Sequence, residues 1–340
     1  MLSSCGASGS SSSSSEGDSS SEAPTTAVKV TLPQDSSSPD SGDSSSDGEP
    51  QAQSSITPHM WQLTSEDGHT ITFIGSMHAL GEDCFPLPDR IMNAYKAADT
   101  VACEFDLVAF NNDLSKQLVL ANGAMYDDSA ETIAQHLSAE TVDGLTEFFD
   151  KMEGKGTMDI YKHYKPWMLA SLCENAIITQ SGLDIYSGLD QTILQMAHDD
   201  GKDIFEVETA EFQFEMLANF SDELYDIQLS GYTADNIDAL IKSSNALYEV
   251  WKAGDLERTE KFLSDDADAS YGSITPEQKK VLDDYNKTML YDRNKGMADC
   301  AEKLLKEKEN TFFMVGLAHF IGEGGIIDLL EKKGYKIEVI

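Results

Sequence analysis

Basic residues are scarce in this 340-residue chain: 24 Lys and Arg stand against 60 Asp and Glu, for a net charge of −36. Such a field repels a phosphate backbone, which excludes nucleic acid as a partner. Cysteine is sparse as well. Cys5, Cys84, Cys103, Cys173 and Cys300 are far apart and form no CxxC pair, so they suggest neither a zinc cluster nor a disulfide framework. Cys103 and Cys173 sit in apolar runs and read as small core residues. No segment reaches the roughly 18 apolar residues that a membrane helix needs, so membrane attachment would run through lipid. Also missing are HExxH, a GxSxG elbow, a P-loop and a GxGxxG after a strand.

The first 55 residues contain 21 Ser and few apolar residues, too little to offset the entropy of ordering. Residues 1–56 therefore read as an acidic tether, with the folded domain expected over 57–340. Eight acidic residues against Lys29 alone leave about −29 on the rest of the chain. Leu2-Ser3-Ser4-Cys5 resembles the end of a bacterial lipoprotein signal, although the basic and apolar regions of a leader do not precede it here. Either Cys5 is lipidated after a leader is removed, which predicts an extracellular, cell-surface lipoprotein, or it is an ordinary thiol. The Ser-rich spacer directly after it favours the first.

Beyond the tether, two segments at opposite ends of the domain are near-copies. ITFIGSMH ends at His78 and FFMVGLAH ends at His319. Each is an apolar run that reads as a buried strand, followed by Gly, two residues and His. The imidazole would then project from the carboxyl end of a strand, where open α/β sheets place their chemistry.

Strands are expected at 70–75, 100–105, 203–208, 311–316 and 335–340, with helices at 87–98, 188–200 and 321–333. This pattern predicts an α/β (or α+β) fold with a mostly parallel central sheet, built from N- and C-terminal βαβ units. The regions 112–180 and 210–300 carry helical apolar spacing and form a large helical insertion between those units.

Carboxylates gather at the same expected edge. The second strand ends in Glu104 and Asp106, and another ends in Glu206 and Glu208, which alternation sends to one face. Two imidazoles and a carboxylate make a first shell for a divalent transition metal, which lowers the pKa of bound water. A second carboxylate would act as general base or orient a His. Surface salt bridges are the plain alternative for Asp106 and Glu206. Glu104, in an apolar strand, is costly to bury without a partner. Ser76 lies beside the first His without a hydrolase frame, and the amides of Gly322-Glu323-Gly324-Gly325 either hold an anion or let the chain pass close to the site.

These residues resemble the TraB/GumN family, which includes the Tiki-type metalloproteases. The resemblance runs through GSMH at 75–78, CEFD at 103–106, KPW at 165–167, GLD at 188–190, EVET with a later Gln over 206–213, RN at 293–294 and VGLAHFIGEGGIIDLLEKKGY at 315–335. It implies a metal-dependent hydrolase, most simply a peptidase acting on a peptide or protein. His78, His319 and Glu104 would be the metal residues, with Glu104 and Arg293 catalytic, and the metal would be manganese or cobalt, with zinc a further candidate. The family is related in fold to erythromycin-esterase (EreA)-like and haem-binding ChaN-like proteins. That relation keeps open a non-catalytic surface protein that sequesters a peptide, a metal or haem.

Overall fold

The structure, a computed structural model, describes residues 54–269 and 274–340. The tether up to residue 53, and Cys5 with it, lies outside the described residues.

Six strands form one sheet: β1 (Met60–Thr64), β2 (Thr70–Ser76), β3 (Thr100–Cys103), β4 (Asp203–Glu206), β5 (Thr311–Gly316) and β6 (Ile337–Val339). Their spatial order is β4-β3-β5-β2-β1-β6. The four strands from β4 to β2 are mutually parallel, and β1 is antiparallel to both its neighbours. Five of the six strands therefore point the same way.

The expected strand–helix–strand segments are present, with the helix Asp89–Ala97 between β2 and β3 and the helix Ile326–Lys332 between β5 and β6. Neither strand pair is hydrogen-bonded. β5 lies between β2 and β3, and β6 pairs with β1, so the two ends of the domain are interleaved.

β1 is an element that the sequence reading passed over. It forms a hairpin with β2 through a turn in which Gly68 takes φ +89° and donates its N–H to the Ser65 carbonyl. An Asp-Gly pair is the usual signature of such a turn. The expected helix at 321–333 begins only at Ile326, because the glycines at 322 and 324 take positive φ and carry the chain round a loop first.

Both faces of the parallel strands are covered, as parallel sheets require. Ile74, Val101, Phe312 and Met314 pack on one face with Ile91 and Tyr95 of the helix Asp89–Ala97. Phe73, Ala102, Phe313 and Val315 pack on the other with Met297 and Ala301 of the helix Arg293–Glu307. Phe312 and Phe313 are fully buried, each contributing about 1.5–3 kcal/mol by area. The helical insertion builds a separate core around Phe148, Phe149, Trp167 and Leu169. Cys103 and Cys173 are buried free thiols, as read from the sequence.

Candidate active site

The shared direction of β2, β3, β4 and β5 places Ser76, Cys103, Glu206 and Gly316 at one edge of the sheet. His78, Glu104, Glu208 and His319 follow within three residues of those strand ends. Strand β2 is held at this edge by Trp251, whose indole N–H donates to the Gly75 carbonyl at 2.9 Å. The loop after β2 is tied to the start of the helix Leu189–Asp200, where the Leu189 N–H reaches the Met77 carbonyl at 2.9 Å.

Each GxxH histidine is oriented through Nδ1 by a side-chain oxygen. His78 Nδ1 pairs with Oδ2 of Asp190. His319 Nδ1 lies 2.7 Å from Oδ1 of Asn294, whose amide in turn donates to the Gly324 carbonyl at 2.9 Å. The glycine loop thus supports the site by passing close to it. Fixing Nδ1 in this way leaves Nε2 as the working nitrogen, an arrangement typical of metal-ligating imidazoles. Nε2 of His319 faces Oε1 of Glu104 at 3.9 Å.

Glu104 is the centre of a buried network. Its Oε1 accepts the Gly316 N–H at 2.8 Å, and its Oε2 accepts from Arg293 at 2.8 Å and from Gln213 at 2.7 Å. Arg293 and Gln213 both also donate to Glu208, at 2.7 and 2.8 Å, and Arg293 Nε adds a third bond to Glu208 at 2.8 Å. One guanidinium therefore compensates two carboxylates that the sheet brings together. The positions of Gly316 and Glu104 are matched, since a Cβ at 316 would lie 3.3 Å from Glu104 Oε1.

This packing drives the two imidazoles apart in charge. Burial would lower the pKa of His78, but the charge and hydrogen bond of Asp190 overcome it and push the ring up to about 9. Burial takes His319 down to about 3, with Glu104 opposing the fall. For Glu104 burial acts upward, yet Arg293, followed by His319 and His78, holds its carboxyl far below the ordinary range. At neutral pH the site thus pairs an imidazolium at 78 with a neutral imidazole at 319 and an ionised Glu104. A carboxylate held that low is a weak proton acceptor, which favours Glu104 as a ligand or charge partner over a general base.

The remaining sequence candidates fall outside this network. Asp106 caps the helix Leu107–Asn112 by accepting the Ala109 N–H, and it pairs with His198 at 2.8 Å. Glu206 accepts the Asp106 N–H at 2.8 Å on the exposed rim. Although alternation grouped it with Glu208, only Glu208 turns inward. Ser76 is buried and lines a small cavity with His78, Glu104 and Asp190. Asp190, Asn294 and Gln213 were visible only as members of the short motifs GLD, RN and EVET-to-Gln. The signal that each mattered was a polar residue at an element's first turn or inward face.

Among the described residues no group of three or more His, Cys, Asp or Glu side chains stands ready as a metal cage. The donors nevertheless fit a divalent metal in kind, provided that His78 releases its Nε2 proton to the incoming cation: two imidazoles with their Nδ1 atoms engaged, and an anionic carboxylate facing one of them.

Comparison with known proteins bears on the whole domain. The profile described as the TraB/PrgY/gumN family matches residues 59–339. An uncharacterized protein of Escherichia coli K12, YbaP, is 25% identical over 150 residues, covering 44% of this chain and 52% of that protein. A metalloprotease TIKI homolog of the sponge Amphimedon queenslandica is 27% identical over 119 residues, 32% of this chain and 23% of the relative. Metalloprotease TIKI2 of Xenopus tropicalis is 38% identical over 56 residues, 16% of this chain and 11% of the relative. The alignment thus spans about half of YbaP and less than a quarter of either TIKI protein. No solved structure matches the chain.

Proposed function

This chain belongs to the TraB/PrgY/gumN family, and from that premise we propose that it is a divalent-metal-dependent peptidase whose metal residues are His78, His319 and Glu104. The observation that carries this reading is the matched treatment of the two histidines, each fixed through Nδ1 by Asp190 or Asn294, beside one carboxylate at a single sheet edge. The TIKI relatives, which are named metalloproteases, support it. When bound, manganese, cobalt or zinc would supply a water acidic enough to yield hydroxide near neutral pH.

The chain's own residues do the rest. Asp190 and Asn294 orient the rings. Arg293 keeps Glu104 ionised while sharing its charge with Glu208, and is in this reading a positioning residue that acts through Glu104. Gln213 locks the two carboxylates to each other.

The test is cleavage of a mixed peptide library by the full chain, with added Mn²⁺ and with chelator. Metal-dependent products that disappear in His78→Ala and His319→Ala support the peptidase. Cleavage that ignores chelator contradicts it. Peptide binding without products would instead support a surface protein that sequesters its ligand.

A further inference from the structure

The helix Leu114–Gly123 has no buried residue. Its sequence, LSKQLVLANG, nevertheless carries large apolar side chains, and Leu114, Leu118 and Val119 are 64, 52 and 71% exposed. Met125 follows just beyond its end, also exposed. Leu120 on its inner side packs against the core of the helical insertion, while Leu114, Leu118 and Val119 stay outside it, and contiguous exposed apolar surface marks an interaction site. Polar contacts add to the packing of Leu120 in placing the helix: Asp113 caps its first turn, and Lys116 pairs with Glu211 at 3.7 Å.

That ion pair joins the helix to the element that carries Gln213 of the candidate active site. Glu211 and Gln213 are two residues apart on the helix Ala210–Ala218, and Gln213 bonds Glu104. Phe212, next in sequence to Glu211, is a further exposed apolar side chain on the element that this ion pair joins to the helix. The chain also runs directly from Glu104 through the helix Leu107–Asn112 into this helix.

Charge selects the occupant. Lys116 is cancelled by Glu211, and the flanks carry Asp113, Asp127 and Asp128. An anionic lipid surface, or a second copy of a chain with net charge −36, would be repelled. We propose that Leu114, Leu118, Val119 and Phe212 form a docking surface for the polypeptide substrate, and that it selects segments in which large apolar side chains alternate with Lys or Arg. The proposal rests on the peptidase reading for the word substrate; the surface itself is read by binding alone.

The experiment measures fluorescence anisotropy of short synthetic peptides with the full chain in chelator, so that no turnover intervenes. The peptides alternate Leu and Lys, Leu and Glu, or Ser and Lys. The Leu/Lys peptide binds most tightly, and Leu114→Ser with Leu118→Ser weakens it about tenfold or more through lost apolar contact. Ile160→Ser, at an exposed apolar position elsewhere, leaves it unchanged. Because Leu114 and Leu118 are themselves exposed, the paired substitutions keep the melting temperature of the parent. Equal binding of Leu/Lys and Ser/Lys peptides, or indifference to the paired substitutions, overturns the proposal. So does stronger partition onto phosphatidylcholine vesicles, or dimerisation that the substitutions abolish. A chain that binds the Leu/Lys peptide selectively but never cleaves it counts against the peptidase reading and not against the surface.

Discussion

Arg293 and Glu104 meet at 2.8 Å although 189 residues separate them, and the same Arg293 amino group donates to Glu208 at 2.7 Å. Two buried carboxylates depend on one cation, so removing it leaves like charges together in a poorly solvated place. Arg293→Met is expected to lower unfolding free energy by about 3–5 kcal/mol. Arg293→Lys recovers only part, because an ammonium lacks the planar fork that reaches both acids. Urea denaturation of the three proteins measures this.

Asp190 acts on His78 and on nothing else in the network, which makes it separable. Asp190→Asn keeps an acceptor for Nδ1 but removes the charge, and Mn²⁺ affinity is expected to fall about 10–100-fold with the fold intact. Asp106→Asn, which touches only His198 and a helix cap, leaves that affinity unchanged. Calorimetric titration distinguishes the two.

The two imidazoles give the metal-free protein a stability optimum. The unfolded His value is 6.5, and His78 is raised to about 9, so between these values the native state binds more protons and stability falls as pH rises. His319 is lowered to about 3, so between 3 and 6.5 the unfolded state binds more protons and stability falls as pH drops. Melting temperature in chelator should therefore peak near pH 6.5. Asp190→Asn flattens the alkaline side, and His319→Gln reduces the acid side. The alkaline effect is softened by solvent, as the His78 side chain is 22% exposed.

Gly188 is a site of close approach. Its φ of −57° suits any residue, but a Cβ there would fall 2.5 Å from the His78 carbonyl oxygen and 2.5 Å from Asp190 Oδ1. Gly188→Ala should thus push His78 away from Asp190 and reduce both melting temperature and metal affinity. Gly123→Ala, with open space at its Cβ, should do neither.

Local pattern made much of this site legible. The apolar runs before Gly75 and Gly316 identified two strands whose carboxyl ends carry His78 and His319, and the Cys103–Asp106 segment placed Glu104 beside them. Pairing was not legible in the same way. That β5 slots between β2 and β3 is decided by long-range packing of Phe312 and Phe313 on the two sheet faces, which no window of sequence contains. β1 was passed over although Met60–Thr64 is longer than β3, β4 or β6 and Asp67-Gly68 signalled its turn. The partners Asp190, Asn294, Gln213 and Glu208 come from three other parts of the chain, and their roles exist only once the sheet edge assembles them.

The most direct test of the account is calorimetric titration of the full chain with Mn²⁺, wild type against His78→Ala and His319→Ala. Binding of one equivalent, lost in both variants while their melting temperatures remain measurable, is the predicted result. Undiminished binding in either variant, or no binding to the wild type, would contradict a metal shared by the two histidines.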